Sequence, residues 1–314
     1  MHYTRVGGVS VSVSTQVKGI LAFLIIAHHM SFHFKDMIFP GQFGPWGTIV
    51  VSIFFFLSGY GLIKSRINNG DDYINHFISK RFTKLLPPFL LATTIFVTIE
   101  LLGDKSMQWF AHRFADGFPP LPTSWFIFAI IFLYLSFYVS CKSTKSLRAM
   151  NITMLIFTAV YCILVLKIFH WGGWWVNAVP AFNLGVFIAS YERQILNMLQ
   201  KKRGRLTLFM LSVTLVSLGA MFVRLTPIYN LTICILLWFI LATMPGFNSK
   251  TLSFLGKYSY EIYLVQGAVI ALCARGNIIE NTGAYLSTVI VCAISILTAI
   301  ILKYFAYRLT PFIK

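Results

Sequence analysis

The sequence predicts an all-α, polytopic integral membrane protein with about ten transmembrane helices and both termini cytoplasmic. Three observations carry that expectation. Hydrophobic residues fill 57% of the 314 positions and charged residues only 11%, where soluble domains carry roughly 25% charged residues. The apolar residues fall into runs of about 17–25, the length a helix needs to cross a bilayer. The cations collect between alternate runs, so the net charge of +17 is unevenly spread. Residues 1–314 read as a single membrane domain without a sizeable soluble appendage.

The first run, 15–34, contains Lys18 and two adjacent histidines and lacks a small-residue cleavage site, so it reads as a retained span and not as a signal peptide. The second, 46–64, holds the phenylalanine run IFFFLSGYGL. In the third, 82–102, Pro87 and Pro88 predict a late start or a kink. The outer segment from Gly103 to Pro122 is rich in aromatics and prolines, and fits a fold-back into the outer mouth as well as a surface loop. The runs 123–141, 150–168, 173–191, 206–223 and 227–246 follow. No charge interrupts the chain between Lys167 and Glu192, Arg205 and Arg224, Arg224 and Lys250, or Glu280 and Lys303. The run 257–275 carries an acid, Glu261, and 284–304 is the last span.

This parse places Lys64, Arg66, Lys80, Arg81, Lys84, Lys142, Lys145, Arg148, Arg193, Lys201, Lys202, Arg203, Arg205, Lys250, Lys257, Lys303, Arg308 and Lys314 on the inside. Only Lys35, Lys105, Arg113, Lys167, Arg224 and Arg275 fall outside. The positive-inside rule accounts for that bias without a nucleic-acid partner. Cys141, Cys162, Cys234, Cys273 and Cys292 lie in or beside apolar segments at no metal-like spacing, so they read as packing residues.

Lys18 and His29 carry most of the chemical signal. Eleven residues at about 100° each bring them within about 20° of one helical face, roughly 16 Å apart along the axis. A cation and an imidazole are both costly in hydrocarbon, so each is expected to face a polar site. Histidine is also suited to moving a proton near neutral pH. The blander readings are a snorkelling lysine and a hydrogen-bonded packing histidine. His28 points about 80° away from Lys18 and His33 lies one turn beyond His29, so both suit structural or substrate-contact roles. Gly59 in the second span fits a small-residue helix contact. Glu261 is an acid within a span and hence a functional candidate, unless it lies close to the inner surface. Trp125 also fits an interfacial belt, and Tyr263 a packing aromatic. The sequons at Asn151 and Asn230 are discounted as short, frequent patterns.

Several stretches, in unbroken order over most of the chain, resemble the acyltransferase-3 family of integral membrane acyltransferases. Lys18 and His29 match its basic-residue, ten-residue, histidine pattern, and Ser58, Gly59 and Tyr60 match the end of its phenylalanine run. Arg81 and Lys84 in SKRFTKLLPPF resemble its basic stretch ahead of the third span, and Trp125 and Phe126 its Trp-Phe-Leu opening. LGKYSYEIYLVQ resembles its near-terminal motif through Ser259, Ile262, Tyr263 and Leu264. Three positions depart: Ser52 stands where many members have aspartate, FAIIFLY lacks the Glu-Glu pair of some members, and Gln266 replaces a common histidine. The departures point toward the small stand-alone, sugar-modifying members.

The resemblance implies transfer of an acyl group, usually acetyl, from cytosolic acyl-CoA to a hydroxyl on a glycan or glycolipid outside, in a bacterial inner membrane. The expected partners are acyl-CoA (acetyl-CoA) as co-substrate, a glycan acceptor and membrane lipids, with no tightly bound cofactor and no metal. Lys18, Lys80, Arg81 and Lys84 would form a cationic mouth for the anionic coenzyme. His29 would be the base or the acyl carrier, with Glu261 as a candidate acid and Ser58, Tyr60, Trp125, Tyr263 and His28 as substrate contacts. A transporter or flippase for surface glycans is the rival function, and a sensory or structural membrane subunit a third.

Overall fold

A computed structural model describes residues 8–200, 203–243 and 248–309. Lys201, Lys202 and Lys314, three of the expected inner cations, lie outside the described residues. Among the described residues there are eleven α-helices and no strand. They are α1 (Val11–Met30), α2 (Gly47–Asn75), α3 (Phe77–Leu102), α4 (Met107–Ala115), α5 (Trp125–Ser143), α6 (Leu147–Ile163), α7 (Pro180–Gln200), α8 (Arg203–Phe222), α9 (Thr226–Thr243), α10 (Lys250–Arg275) and α11 (Ile278–Leu309). Ser10, Ser106, Ser146 and Ser249 cap α1, α4, α6 and α10 by accepting a backbone N–H with the side chain.

Eight segments are long and apolar enough to cross a membrane. α7 and α10 overlap two of the ten expected spans but fall short of that measure. Both carry polar residues, Asn183, Glu192 and Arg193 in α7 and Lys257, Glu261 and Gln266 in α10. Both also pack against other helices, α7 on α2 and α10 between α1, α11 and α3. A helix enclosed by protein does not need an apolar surface all round.

Small residues let the central pairs approach. A Cβ at Gly256 would lie 1.8 Å from the Thr15 carbonyl oxygen, and one at Gly19 2.4 Å from that of Leu252. α1 and α10 run side by side in the same direction, since the backbone N–H of Ser249 donates to Gln16 Oε1 at 2.6 Å at their starts and His29 meets Gln266 further along. Gly59 is the helix contact its sequence context suggested, since a Cβ there would lie 2.2 Å from the Phe182 carbonyl oxygen on α7.

α3 corrects the expected late start. It starts at Phe77 and keeps helical geometry through both prolines. Pro87 and Pro88 lack the N–H groups that would pair with the carbonyls of Thr83 and Lys84. Beside that loosened turn, Tyr260 Oη on α10 donates to the Leu85 carbonyl at 2.6 Å. Support from a neighbouring helix is how membrane helices tolerate proline.

The helices define two ends. At one end the start of α1 meets the start of α10, Lys303 reaches Glu261 and Lys142 reaches Asn75. At the other, His28 meets Phe43 and Arg275 pairs with Glu100.

Candidate functional site

A cavity of about 300 Å³ opens at the first end. Five cationic side chains line it, Lys18, Arg81, Lys84, Lys257 and Lys303, against one carboxylate, Glu261. Glu261 is buried and pairs with Lys303 at 3.3 Å, while Lys303 also donates to the Lys257 carbonyl. Among the described residues no carboxylate pairs with Lys18, Arg81 or Lys84. Lys18 and Arg81 are close enough to repel each other. Arg81 is aimed by Tyr73, whose hydroxyl accepts from its Nη2 at 2.6 Å. Like charges held together without counter-ions make an anion site. Deeper in, Ser58 Oγ meets Tyr134 Oη at 3.0 Å among Phe54, Phe126 and Ile130.

A second cavity, of about 710 Å³, opens at the other end and contains His28, His29 and Trp125 in its wall. His29 Nδ1 lies 2.9 Å from the Ile25 carbonyl oxygen. A carbonyl only accepts, so Nδ1 carries the hydrogen and Nε2 keeps its lone pair. His28 Nδ1 donates likewise to Phe43 O at 3.2 Å, and the two imidazoles are 4.8 Å apart.

Tyr263 belongs to both cavities. Its hydroxyl donates to the Thr123 carbonyl at 3.0 Å, and Gln266 Nε2 donates to Thr123 Oγ1 at 3.2 Å. Thr123 needs such anchorage because its φ is +65°, an uncommon and strained conformation for a β-branched residue. Gln266 is fully buried between Thr123 and the His29 imidazole, which its side-chain amide approaches. The segment before α5 thus folds over the second cavity, with Gly117, Phe118, Pro119 and Thr123 in its wall. The outer segment divides accordingly: α4 is largely exposed, and the stretch after it closes the mouth.

A family model described as an acyltransferase domain, Acyl_transf_3, matches residues 15–304. The chain belongs to the acyltransferase-3 family. No curated protein and no solved structure matches it.

In this membrane acyltransferase the structure gathers most of the expected site residues and separates three. Lys18, Arg81, Lys84 and Ser58 share the cationic cavity, His28, His29 and Trp125 the histidine cavity, and Tyr263 joins them. Glu261 lines the cationic cavity, away from the His29 cavity, and serves as the partner of Lys303. Lys80 is exposed and lines neither cavity, one turn before Lys84 near the start of α3. Tyr60 lines neither and donates to Glu192 Oε1 at 2.7 Å. That carboxylate also holds Trp238 Nε1 and Lys64, so Tyr60 is part of a buried tie between α2, α7 and α9.

Lys257, Lys303, Thr123, Asn177 and the aromatics Phe118 and Trp174 were not singled out by sequence reasoning. The departure at Gln266 was the available signal for the Thr123 anchor. Ser52, at the family's aspartate position, bonds its own helix at Thr48 O, and no carboxylate lines the His29 cavity among the described residues.

Proposed function

We propose that this membrane acyltransferase is an O-acyltransferase, specifically an acetyl-CoA-dependent O-acetyltransferase of a cell-surface glycan or its lipid-linked precursor. In this reading the chain crosses a bacterial inner membrane ten times with both termini cytoplasmic. The observation that carries the proposal is Tyr263, one wall shared by a cavity of five cations and one carboxylate and a histidine cavity at opposite ends of α1.

The coenzyme phosphates would be held by Lys18, Arg81 and Lys84 from the cytosolic side. The pantetheine arm would pass Ser58, Phe126 and Tyr134 toward Tyr263. The roughly 16 Å of helix between Lys18 and His29 is comparable with the length of that arm. His29 Nε2 would take the proton of an acceptor hydroxyl while the oxygen attacks the thioester carbon. A C–O bond forms, the C–S bond breaks, and the proton passes to the departing coenzyme A thiolate. The same nitrogen would bear the acyl group if transfer ran in two steps.

Disruption of the gene, followed by mass analysis of surface glycans, tests the acceptor half. Loss of one acetyl increment per modified unit, restored by the intact gene, is expected. Unchanged glycans, or no acyl-CoA-dependent release of coenzyme A by membranes containing the protein, would remove the reading.

A further inference from the structure

The mouth of the His29 cavity carries a feature that neither the donor site nor the imidazole explains. Phe118 and Trp174 line it, each 39% exposed, with ring centroids 5.6 Å apart and planes inclined at 36°. The guanidinium of Arg113 sits 4.2 Å from the centre of the Phe118 ring and holds it in place. Trp174 is seated against the backbone of Gly172, where a Cβ would collide with the ring.

The indole N–H groups sort the tryptophans. Those of Trp171, Trp175 and Trp238 donate to Ala115 O, Gly117 O and Glu192. Those of Trp125 and Trp174, the two that line the cavity, have no acceptor among the described residues. Trp46 and Trp109, about as exposed as Trp174, also lack one, and what sets Trp125 and Trp174 apart is that both line the cavity. The side chains of Thr48, Asn177 and Thr226 in the same wall likewise make no hydrogen bond among the described residues. Two inclined aromatic rings beside unused donors and acceptors suit a ring with apolar C–H faces and a rim of hydroxyls.

We infer that Phe118 and Trp174 form a stacking subsite for a pyranose ring of the acceptor, with Trp174 Nε1, Trp125 Nε1 and Asn177 taking its hydroxyls. This rests on the proposed glycan acceptor and names the element that would recognise it. The C–H faces of the sugar pack on the aromatic rings through dispersion and weak C–H contacts. Stacking here would set one hydroxyl toward His29 at the floor of the same cavity. The size of the cavity, about 710 Å³, lies within the range of about 300–1,000 Å³ seen for small-molecule sites.

The test measures binding without chemistry. Unacylated glycan fragments, released from cells with the gene disrupted and tritiated at the reducing end, are equilibrated with His29→Ala protein in lipid nanodiscs without acyl-CoA. Adding Trp174→Ala or Phe118→Ala should weaken retention roughly five- to tenfold, from the usual worth of one aromatic contact. Trp174→Phe should keep most of it, which also guards against loss of folding, and Phe222→Ala, at an exposed position that lines neither cavity, should change nothing. Equal retention in the Trp174 and Phe118 variants, equal loss on Phe222→Ala, or no retention by the parent would overturn the subsite. Fragment binding that depends on Trp174, in a protein whose unsubstituted form transfers no acyl group, would sustain the subsite and defeat the proposed reaction.

Discussion

The hydrogen bond from His29 Nδ1 to the Ile25 carbonyl fixes which nitrogen can react, because it leaves Nε2 as the unprotonated atom in the cavity. His29→Ala is therefore expected to reduce acyl transfer by about 10²–10⁴-fold while leaving acyl-CoA binding intact. His28 shares the cavity but is tied to Phe43, so His28→Ala should keep measurable activity. Equal loss from both, measured as acyl uptake by the glycan, would make the pair structural. At the other cavity, Lys18→Ala and Arg81→Ala should each weaken acyl-CoA binding by roughly ten- to a hundredfold, the usual worth of a charge-assisted contact of about 1.5–3 kcal/mol. Lys80→Ala, outside the cavity, should leave donor affinity unchanged, and isothermal titration would compare the three. Lys18 and His29 stood out in the sequence because charge in an apolar run needs a reason, and Arg81 through its resemblance to the family's basic stretch. Glu261 was a candidate on the same ground, and its pairing with Lys303, 42 residues away on another helix, is what spacing along one helix cannot reveal.

At the scale of the element, the site depends on how closely α1 and α10 pack, since α1 carries Lys18 and His29 and α10 carries Tyr263 and Gln266. Gly256→Ala would push a methyl group into the Thr15 carbonyl, with an expected cost of about 1–3 kcal/mol. Gly61→Ala in α2 meets nothing within 4 Å and should be neutral or stabilising by up to about 1 kcal/mol. Thermal unfolding of the purified variants should separate them, and an unaffected Gly256→Ala would show that this contact does not limit stability. Apolar runs revealed where long helices fall, because a bilayer demands continuous hydrophobic length. They did not reveal the unbroken path of α3 through Pro87 and Pro88, which has support from Tyr260 on α10. The closure of the second cavity by residues 117–123 was one of two readings of the outer segment, and the contacts that favour it, Tyr263 and Gln266 holding Thr123, come from a distant helix.

Across the whole molecule, the distribution of charge and the two cavities agree in direction. The cationic cavity lies at the end where the expected inner loops gather, and the histidine cavity at the opposite end. Single cysteines at Lys145 and Lys250 should react with impermeant reagent only from the cytoplasmic side, and those at Asp104 and Asn277 only from outside. All four positions are exposed. One inversion would overturn the ten-span topology and with it the sidedness of the donor site. Sealed inside-out vesicles test the central proposal most directly. Impermeant acyl-CoA labelled in its acyl group is supplied at the exposed cytoplasmic face, with unacylated glycan fragments enclosed in the lumen. The expected result is label on luminal glycan and free coenzyme A outside, both lost in His29→Ala and both reduced in Arg81→Ala at low donor concentration. Label that stays outside, or luminal acylation that persists undiminished in His29→Ala, would contradict it.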